Sequence, residues 1–305
     1  MSAPAGVPGT GGTGGAKQDG GRGGRGATDA PVRVGRIEFI NCFPLYLHFE
    51  EELARLGVSA EVVGGTPAEL NRLLVAGEID VALPSSIEYA RHGDKLVLLP
   101  GISISSFGAV DSIQLFATSP REELSSIALS EKSATSTCLL RVLCREWGVT
   151  PEFAERSGSL ADVLARFDGL LLIGDEALHV LRAGVYPRHF DLGEEWRSLT
   201  GLPMVYAVCA ARRDFAAASP TAAAAVEAAL VASRDRCAAD PEATAAAAAR
   251  LYDFSQAYLE GYFDRLKFGF TDEYRRGLEE FYRRAVAIDE LDTAPDLGSP
   301  PVLAS

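Results

Sequence analysis

The residues of this chain that could do chemistry are mostly uncharged and stand where a predicted strand gives way to a helix. The first is Asn41, inside the segment 32–46, VRVGRIEFINCFPLY. Its alternating and then increasingly apolar residues predict a strand, which Pro44 should stop while disfavouring helical geometry at Phe43. The carboxyl edge of a sheet is where open α/β folds bind ligands. Asn41 is therefore either a ligand-contacting amide or a simple cap of the next helix.

Hydroxyl groups stand at two further junctions of this kind. They belong to Ser85 and Ser86, and to Ser133, Thr135 and Ser136. The first pair follows a predicted strand and should start a short helix. The other three surround the predicted start of a long apolar helix, where free N–H groups and the helix dipole favour an anion. Plain helix capping is the alternative explanation.

Asp175 follows a fully apolar predicted strand, Gly169 to Ile173, and the single residue Gly174. We expect it to be the N-cap of a helix that runs to Gly184. That structural role is sufficient to explain an aspartate here without a catalytic one.

Composition limits the possible partners. The 305 residues are 47% hydrophobic and 23% charged, and the net charge of −13 argues against nucleic acid or an anionic membrane, but not against a small anionic ligand. The five cysteines are odd in number and form no CxxC pair, as expected for reduced thiols in a cytoplasmic protein. Metal-ligand spacing and nucleotide motifs are missing, so neither a metal nor another cofactor is expected.

The predicted elements alternate between strands and helices, which indicates an α/β fold with two lobes and a cleft. Residues 1–30 are Gly-rich and are expected to form a disordered tail rather than a signal peptide, and no apolar run is long enough for a membrane span. A strand at Leu96–Leu99 should be followed by a loop containing Ser103, Ser105 and Ser106. Thr66 should cap a helix in a capping box, and Asp240 should cap the second half of an Ala-rich pair.

Several segments together resemble the menaquinone-biosynthesis family of the futalosine pathway, in particular its chorismate dehydratase branch. They are VGRIEFINCFPLY, GAVDS, SATS, LLIGDEAL and DLGEEWRSLTGLPMVYAVCAAR. The resemblance covers roughly Val32 to Ala287. It implies a two-lobed, type II periplasmic-binding-protein-like fold with a central ligand cleft. Lobe I would be residues 31–116 plus 205–290, lobe II 117–204, and 291–305 a C-terminal tail.

The reaction that the resemblance implies is dehydration of chorismate to 3-[(1-carboxyvinyl)oxy]benzoate, without a metal or redox cofactor. The catalytic asparagine and serine of the family fall on Asn41 and Ser112. The residues expected to bind the substrate are Ser85, Ser86, Ser133, Thr135, Ser136 and Asp175. The partner would be this small molecule alone, and the oligomeric state is left open.

Two alternatives remain. The sister branch, 1,4-dihydroxy-6-naphthoate synthase, resembles this chain too, but its histidine base falls on Gly174, which cannot act as a base. Glu131 and Lys132 stand where the resemblance would place small polar residues, and their charges would alter the affinity for an anion. A non-catalytic small-acid-binding protein would share the fold, but would normally be exported.

Overall fold

A computed structural model describes residues 30–129 and 134–297 of the chain. In chain order the strands are β1 (Val32–Ile37), β2 (Ala60–Gly65), β3 (Val81–Ala82), β4 (Leu96–Ser106), β5 (Ile113–Ala117), β6 (Ser126–Leu129), β7 (Glu152–Glu155), β8 (Gly169–Ile173), β9 (Arg188–Asp191), β10 (Met204–Arg212) and β11 (Leu266–Lys267).

The helices lie mostly between these strands. They are α1 (Phe43–Tyr46), α2 (Phe49–Arg55), α3 (Pro67–Ala76), α4 (Ser86–Arg91), α5 (Ala134–Trp147), α6 (Leu160–Leu164), α7 (Gly174–Ala183), α8 (Leu192–Thr200), α9 (Arg213–Ala218), α10 (Pro220–Ala239), α11 (Pro241–Ala248), α12 (Gln256–Arg265) and α13 (Asp272–Ala287). Short 3-10 turns cover Ile40–Cys42 and Arg121–Glu123. Within the described ranges, we find no helix long and apolar enough to cross a membrane.

The strands form two mixed sheets. The first has the order β11-β4-β10-β3-β1-β2, and the second has the order β7-β6-β8-β5-β9. In the first sheet β1 is parallel to β2 and β3, while β10 runs antiparallel to β3 and β4. Because β1 and β3 are parallel, their carboxyl ends meet at one edge. The turn that carries Asn41 and the start of α4 therefore lie side by side.

The chain passes between the two sheets twice. It leaves β4 at Ser106 and enters the second sheet at Ile113, where β5 pairs with β8 and β9. It returns through α8 into β10, whose Met204 pairs with Ser106 of β4. Since β5 belongs to the second sheet, we place the first passage at residues 107–112, before the boundary near 116 that the sequence suggested.

The helix starts show where local sequence decides the structure. Thr66 and Glu69 form the expected capping box of α3, and Asp240 caps α11 by accepting the N–H of Ala243 at 3.0 Å. The expectation that Asp175 is the N-cap is wrong, because α7 starts at Gly174 and its N-cap is Ile173, two residues earlier, without a side-chain bond. The carboxylate of Asp175 has a different partner, described below.

One apolar core extends through both sheets. Its buried residues include Val34 of β1, Val208 of β10 and Leu171 of β8. The described part of the predicted C-terminal tail also packs, since Leu297 is buried and its carbonyl accepts a hydrogen bond from Arg275 Nη1 at 2.8 Å. Because the core includes residues of both sheets, the two lobes are in close contact in this structure.

Candidate active site

A small cavity lies where the ends of the two sheets meet. It encloses about 50 Å³ of free volume, and its lining residues are Ile37, Phe39, Asn41, Pro67, Leu83, Ser85, Ile104, Ser112, Ile113, Ser136, Ile173, Gly174, Tyr206 and Ala207. Sites for small ligands usually measure about 300–1,000 Å³. Binding of such a ligand therefore requires the walls to move apart.

Asn41 reaches this cavity from the 3-10 turn that follows β1. Its Oδ1 is buried, and no described residue makes a hydrogen bond to it. The prediction that Phe43 would leave helical geometry is wrong, because Phe43 has φ −51° and ψ −46°. Pro44 falls in the first turn of α1, where a helix needs no N–H donor. The turn and α1 together fix the backbone on both sides of Asn41.

Ser112 reaches the same cavity from the passage between the sheets. Its Oγ is also buried without a partner among the described residues. Behind it stands Tyr262 of α12, whose hydroxyl neighbours the Ser112 side chain. Burial raises the pKa of Tyr262 well above its ordinary value, and by geometry its hydroxyl, like that of Ser112, has no hydrogen-bond partner among the described residues. Tyr262 is consequently a neutral phenol that can donate a proton in a hydrogen bond.

The two serines after β3 have different surroundings. Ser85 lines the cavity, its N–H donates to Asn71 Oδ1 at 3.2 Å, and its hydroxyl caps nothing in α4. Ser86 is completely buried, and its Oγ donates to the Val205 carbonyl at 2.7 Å. Of this pair, only Ser85 lines the cavity, and its Oγ accepts Asn71 Nδ2 at 3.5 Å.

The start of α5 faces the cavity from the second lobe. Ser136 is buried and lines the cavity, while the Thr135 hydroxyl accepts the N–H of Ile87 in α4 at 3.0 Å. That hydrogen bond joins the two lobes. Ser133, Glu131 and Lys132 lie outside the described residues.

Asp175 joins the lobes at a second point. Its Oδ1 accepts the N–H of Ile40 at 3.0 Å, immediately before Asn41. The preceding Gly174 has φ 64°, and a Cβ there would approach the Phe39 ring to 3.0 Å. A residue with a side chain is therefore disfavoured at position 174 both by backbone conformation and by space.

The cavity wall carries no formal charge among the described residues, since its lining consists of apolar, hydroxyl, amide and phenol groups. Burial raises the pKa of Cys42 beside it, and the Asp175 carboxylate adds to that rise, so this thiol stays protonated. Burial likewise raises the pKa of Tyr206, which shares a hydrogen bond of 2.9 Å with Ser106. An anion bound here would be held by neutral donors. Over the described ranges, no group of His, Cys, Asp and Glu is arranged to hold a metal ion.

A larger cavity of about 930 Å³ opens elsewhere between the lobes. Among the side chains that line it, Arg91 and Arg141 both form ion pairs with Glu290 at 2.9 Å. We assign the site to the smaller cavity because it gathers Asn41 and Ser112, whose side-chain oxygens have no described partner.

The sequence patterns did not lead us to predict α12, and Tyr262 was therefore not among the predicted site residues. The signal was present, because Ser255 precedes aromatic and aliphatic residues spaced by three and four. These are Tyr258, Leu259, Tyr262 and Phe263. The Ser255 hydroxyl caps the helix by accepting the N–H of Tyr258 at 3.3 Å.

Solved structures with the same architecture define the class of fold. A protein of Archaeoglobus fulgidus matches with a TM-score of 0.69 at 17% identity, covering 86% of this chain and 98% of that chain. A Candida albicans protein with the generic periplasmic binding protein fold matches at 0.66 and 13% identity, covering 88% and 93%. The periplasmic aliphatic sulphonate binding protein of Escherichia coli matches at 0.64 and 15% identity, covering 88% and 96%. The predicted two-lobed, type II periplasmic-binding-protein-like fold is confirmed.

Sequence relatives then define the family. The model of the menaquinone biosynthesis family matches residues 32–287. A chorismate dehydratase of Thermus thermophilus is 37% identical over an alignment of 199 residues that covers 60% of this chain and 71% of the relative. A chorismate dehydratase of Campylobacter jejuni is 30% identical over 175 residues, which are 57% of this chain and 64% of the relative. The chain belongs to the menaquinone biosynthesis family, as the sequence motifs predicted.

Proposed function

We propose that this protein is a chorismate dehydratase, a carbon–oxygen hydro-lyase that supplies the futalosine route to menaquinone. It eliminates water from chorismate and forms 3-[(1-carboxyvinyl)oxy]benzoate. One observation carries the proposal beyond family membership. Asn41 and Ser112 place side-chain oxygens without a described partner at one small, uncharged cavity between the lobes. The absence of partners leaves both groups available to a ligand.

The reaction breaks the C3–H bond and the bond from the ring to its hydroxyl, and the ring becomes aromatic. The C3 proton is acidified by conjugation with the ring carboxylate. As the proton leaves, negative charge develops toward that carboxylate. Fixed hydrogen-bond donors aimed at it stabilise the transition state more than the ground state.

Asn41 and Ser112 act by orientation, because neither side chain is basic at neutral pH. The enolpyruvyl carboxylate of the substrate serves as the base, and these two residues hold that group and the departing hydroxyl in place. The neutral hydroxyl of Tyr262 lies next to the Ser112 side chain and limits its movement.

The substrate carboxylates are held by Ser85 and Ser136, together with N–H groups at the start of α5. Ser86 and Thr135 contribute indirectly, since their hydroxyls bond to Val205 and Ile87. Asp175 contributes by fixing the N–H of Ile40 and thus the turn that carries Asn41. The Asp175 carboxylate would repel a dianionic ligand, which argues against direct contact between Asp175 and the carboxylates of the substrate.

The sister activity, 1,4-dihydroxy-6-naphthoate synthesis, is disfavoured at Gly174. The histidine of that branch would have to adopt φ near 64° beside the Phe39 ring. A non-catalytic acid-binding protein has no observation of its own in its favour, since the binding proteins that resemble this chain share its fold at low identity.

The decisive experiment incubates purified protein with chorismate and follows the aromatic product by absorbance and mass. We expect stoichiometric loss of water and an aromatic product, with turnover unchanged after dialysis against a chelator. Binding without turnover would support the binding-protein alternative. Activity lost to the chelator and restored by metal would contradict the proposed mechanism.

A further inference from the structure

The backbone immediately before Ser112 adopts a tight, strained turn. The N–H of Ser112 donates to the carbonyl of Val110 at 2.7 Å, which closes a three-residue γ-turn. The central residue, Asp111, has φ 60°. Among the described residues other than glycine, only Asp111 and Asp289 have a positive φ. A non-glycine residue stays in this conformation only where its surroundings hold it.

The carboxylate of Asp191 holds this turn. It accepts the N–H of Val110 at 3.0 Å and the N–H of Asp111 at 2.7 Å, and it also accepts Gln114 Nε2 at 2.5 Å. Each bond is made to a residue within two positions of Ser112. The Asp111 side chain also forms an ion pair with Arg265 at 3.4 Å.

The same carboxylate is the N-cap of α8. It accepts the N–H of Gly193 at 3.0 Å and that of Glu194 at 3.2 Å. A cap needs only these two bonds. The additional bonds to Val110 and Asp111 therefore fasten the turn to a rigid helix start.

The other side of Ser112 is fixed as well. Its carbonyl accepts the N–H of Gly174 at 2.8 Å. With both backbone polar groups bonded, the place of the Ser112 hydroxyl in the cavity follows from the geometry of the turn. A shift of the turn would move that hydroxyl directly.

We propose that Asp191 is a positioning residue for Ser112, acting through the strained turn at Asp111. The expected fall in kcat rests on the proposed function, whereas the expected loosening of the turn does not. Asp191 touches neither the cavity nor a reacting group, and it acts by holding the backbone that presents the Ser112 hydroxyl.

Replacing Asp191 by Asn separates positioning from capping. Asparagine caps helices as well as aspartate does, so α8 should form. The amide has only one acceptor oxygen for the donors that the carboxylate now serves. We expect kcat to fall by about 10- to 100-fold with KM within about threefold, the effect of a displaced catalytic group. An unchanged kcat would overturn the proposal.

A second pair of variants tests the turn itself and does not depend on Asp191. Asp111→Gly and Asp111→Ala both remove the pairing with Arg265, but only glycine adopts φ 60° freely. We expect the glycine variant to keep most of the wild-type kcat. The kcat of the alanine variant should be about tenfold lower than that of the glycine variant, because Ser112 is displaced. Equal kcat values in the two variants would contradict a role for the turn geometry.

Amide hydrogen exchange distinguishes failure of this inference from failure of the proposed function. In Asp191→Asn, the peptide covering 107–113 should exchange at least tenfold faster than in the wild type, while α13 should be unchanged. This result is expected even if the wild type does not turn over chorismate. Unchanged exchange in that peptide would refute the positioning role regardless of the reaction catalysed.

Discussion

At the scale of single residues, the site depends on uncharged groups, two of which, Asn41 Oδ1 and Ser112 Oγ, have no hydrogen-bond partner among the described residues. Asn41 tests this view most directly. Asn41→Asp keeps the size of the side chain but adds a negative charge beside Asp175 and a dianionic ligand, whereas Asn41→Ala removes the contact without adding charge. Both variants should lose most of kcat, and the Asp variant should also bind chorismate more weakly because of repulsion.

The measurements are kcat and the substrate Kd of both variants at neutral pH. An Asp variant as active as wild type would mean that an added base helps at this position. The orienting role that we propose for Asn41 would then be wrong.

Ser136 tests the carboxylate contacts at the start of α5. Ser136→Ala should weaken chorismate binding by about 1.5–3 kcal/mol, the value of a hydrogen bond to a charged group. Thr137→Ala is the matched control, because Thr137 is the next residue of α5 and lines the larger cavity instead. Isothermal titration of both variants makes the comparison, and equal losses of affinity would count against a specific contact at Ser136.

Which residues line the site was only partly predictable from sequence. Asn41, Ser85, Ser112 and Ser136 were all named and meet at one cavity. The hydroxyl of Ser86 does not line the cavity, because it donates to the Val205 carbonyl of β10. Such a difference between adjacent serines depends on the packing of distant strands, which local sequence does not contain.

At the scale of elements, the prediction failed where polar residues are buried. Ser103, Ser105 and Ser106 were expected in a loop, but β4 continues through them to Ser106. The hydroxyls find partners inside the sheet, with Ser103 Oγ and Ser105 Oγ 2.7 Å apart and Ser106 bonded to Tyr206. Pro100 and Gly101 lie inside β4 at one of its two register shifts against β10, between the pairing of Ser103 with Val208 and that of Leu98 with Ala210.

The last helix contains an ion-pair network whose effect depends on pH. Glu280 of α13 bonds to Arg283 and Arg284 at 2.7 Å, which lowers the pKa of this carboxyl to about 2. A lowered pKa in the folded state stabilises the protein above the unfolded value of 4.5, and this contribution is lost as pH falls toward 2.

We therefore expect Glu280→Gln to reduce the free energy of unfolding by about 1 kcal/mol at pH 7, as for a networked pair near the surface. The difference from wild type should shrink as pH falls below about 4. Glu279→Gln is the control, since Glu279 is exposed on the same helix. Urea unfolding of the three proteins at several pH values makes the measurement. A pH-independent difference would exclude this carboxylate as its source.

At the scale of the whole molecule, alternation of strands and helices was enough to predict an α/β protein with two lobes, and motif resemblance was needed to predict the type II periplasmic-binding-protein-like fold. The passage between lobes could not be located accurately from the pattern. β5 looks like any other strand, and its membership of the second sheet follows from pairing with β8 and β9. Pairing partners are set by long-range contacts, so a strand's own residues do not specify its sheet.

The size of the cavity gives the last prediction. At about 50 Å³ it is too small for a cyclic diacid, so the lobes must separate during each catalytic cycle. Among the described residues, two hydrogen bonds beside the cavity join the lobes, from Ile40 N–H to Asp175 and from Ile87 N–H to Thr135.

Removing the bond between Ile40 and Asp175 by Asp175→Ala should shift the population toward open forms, because each such bond contributes about 1 kcal/mol. In small-angle scattering, the variant should have a larger radius of gyration than wild type at saturating chorismate. Glu176→Ala is the matched control, since Glu176 bonds to Arg156 within the second lobe, and this variant should close like wild type. If both variants opened equally, the bond from Ile40 to Asp175 would have no special part in closure, and the walls of the cavity would have to be held together by their apolar contacts.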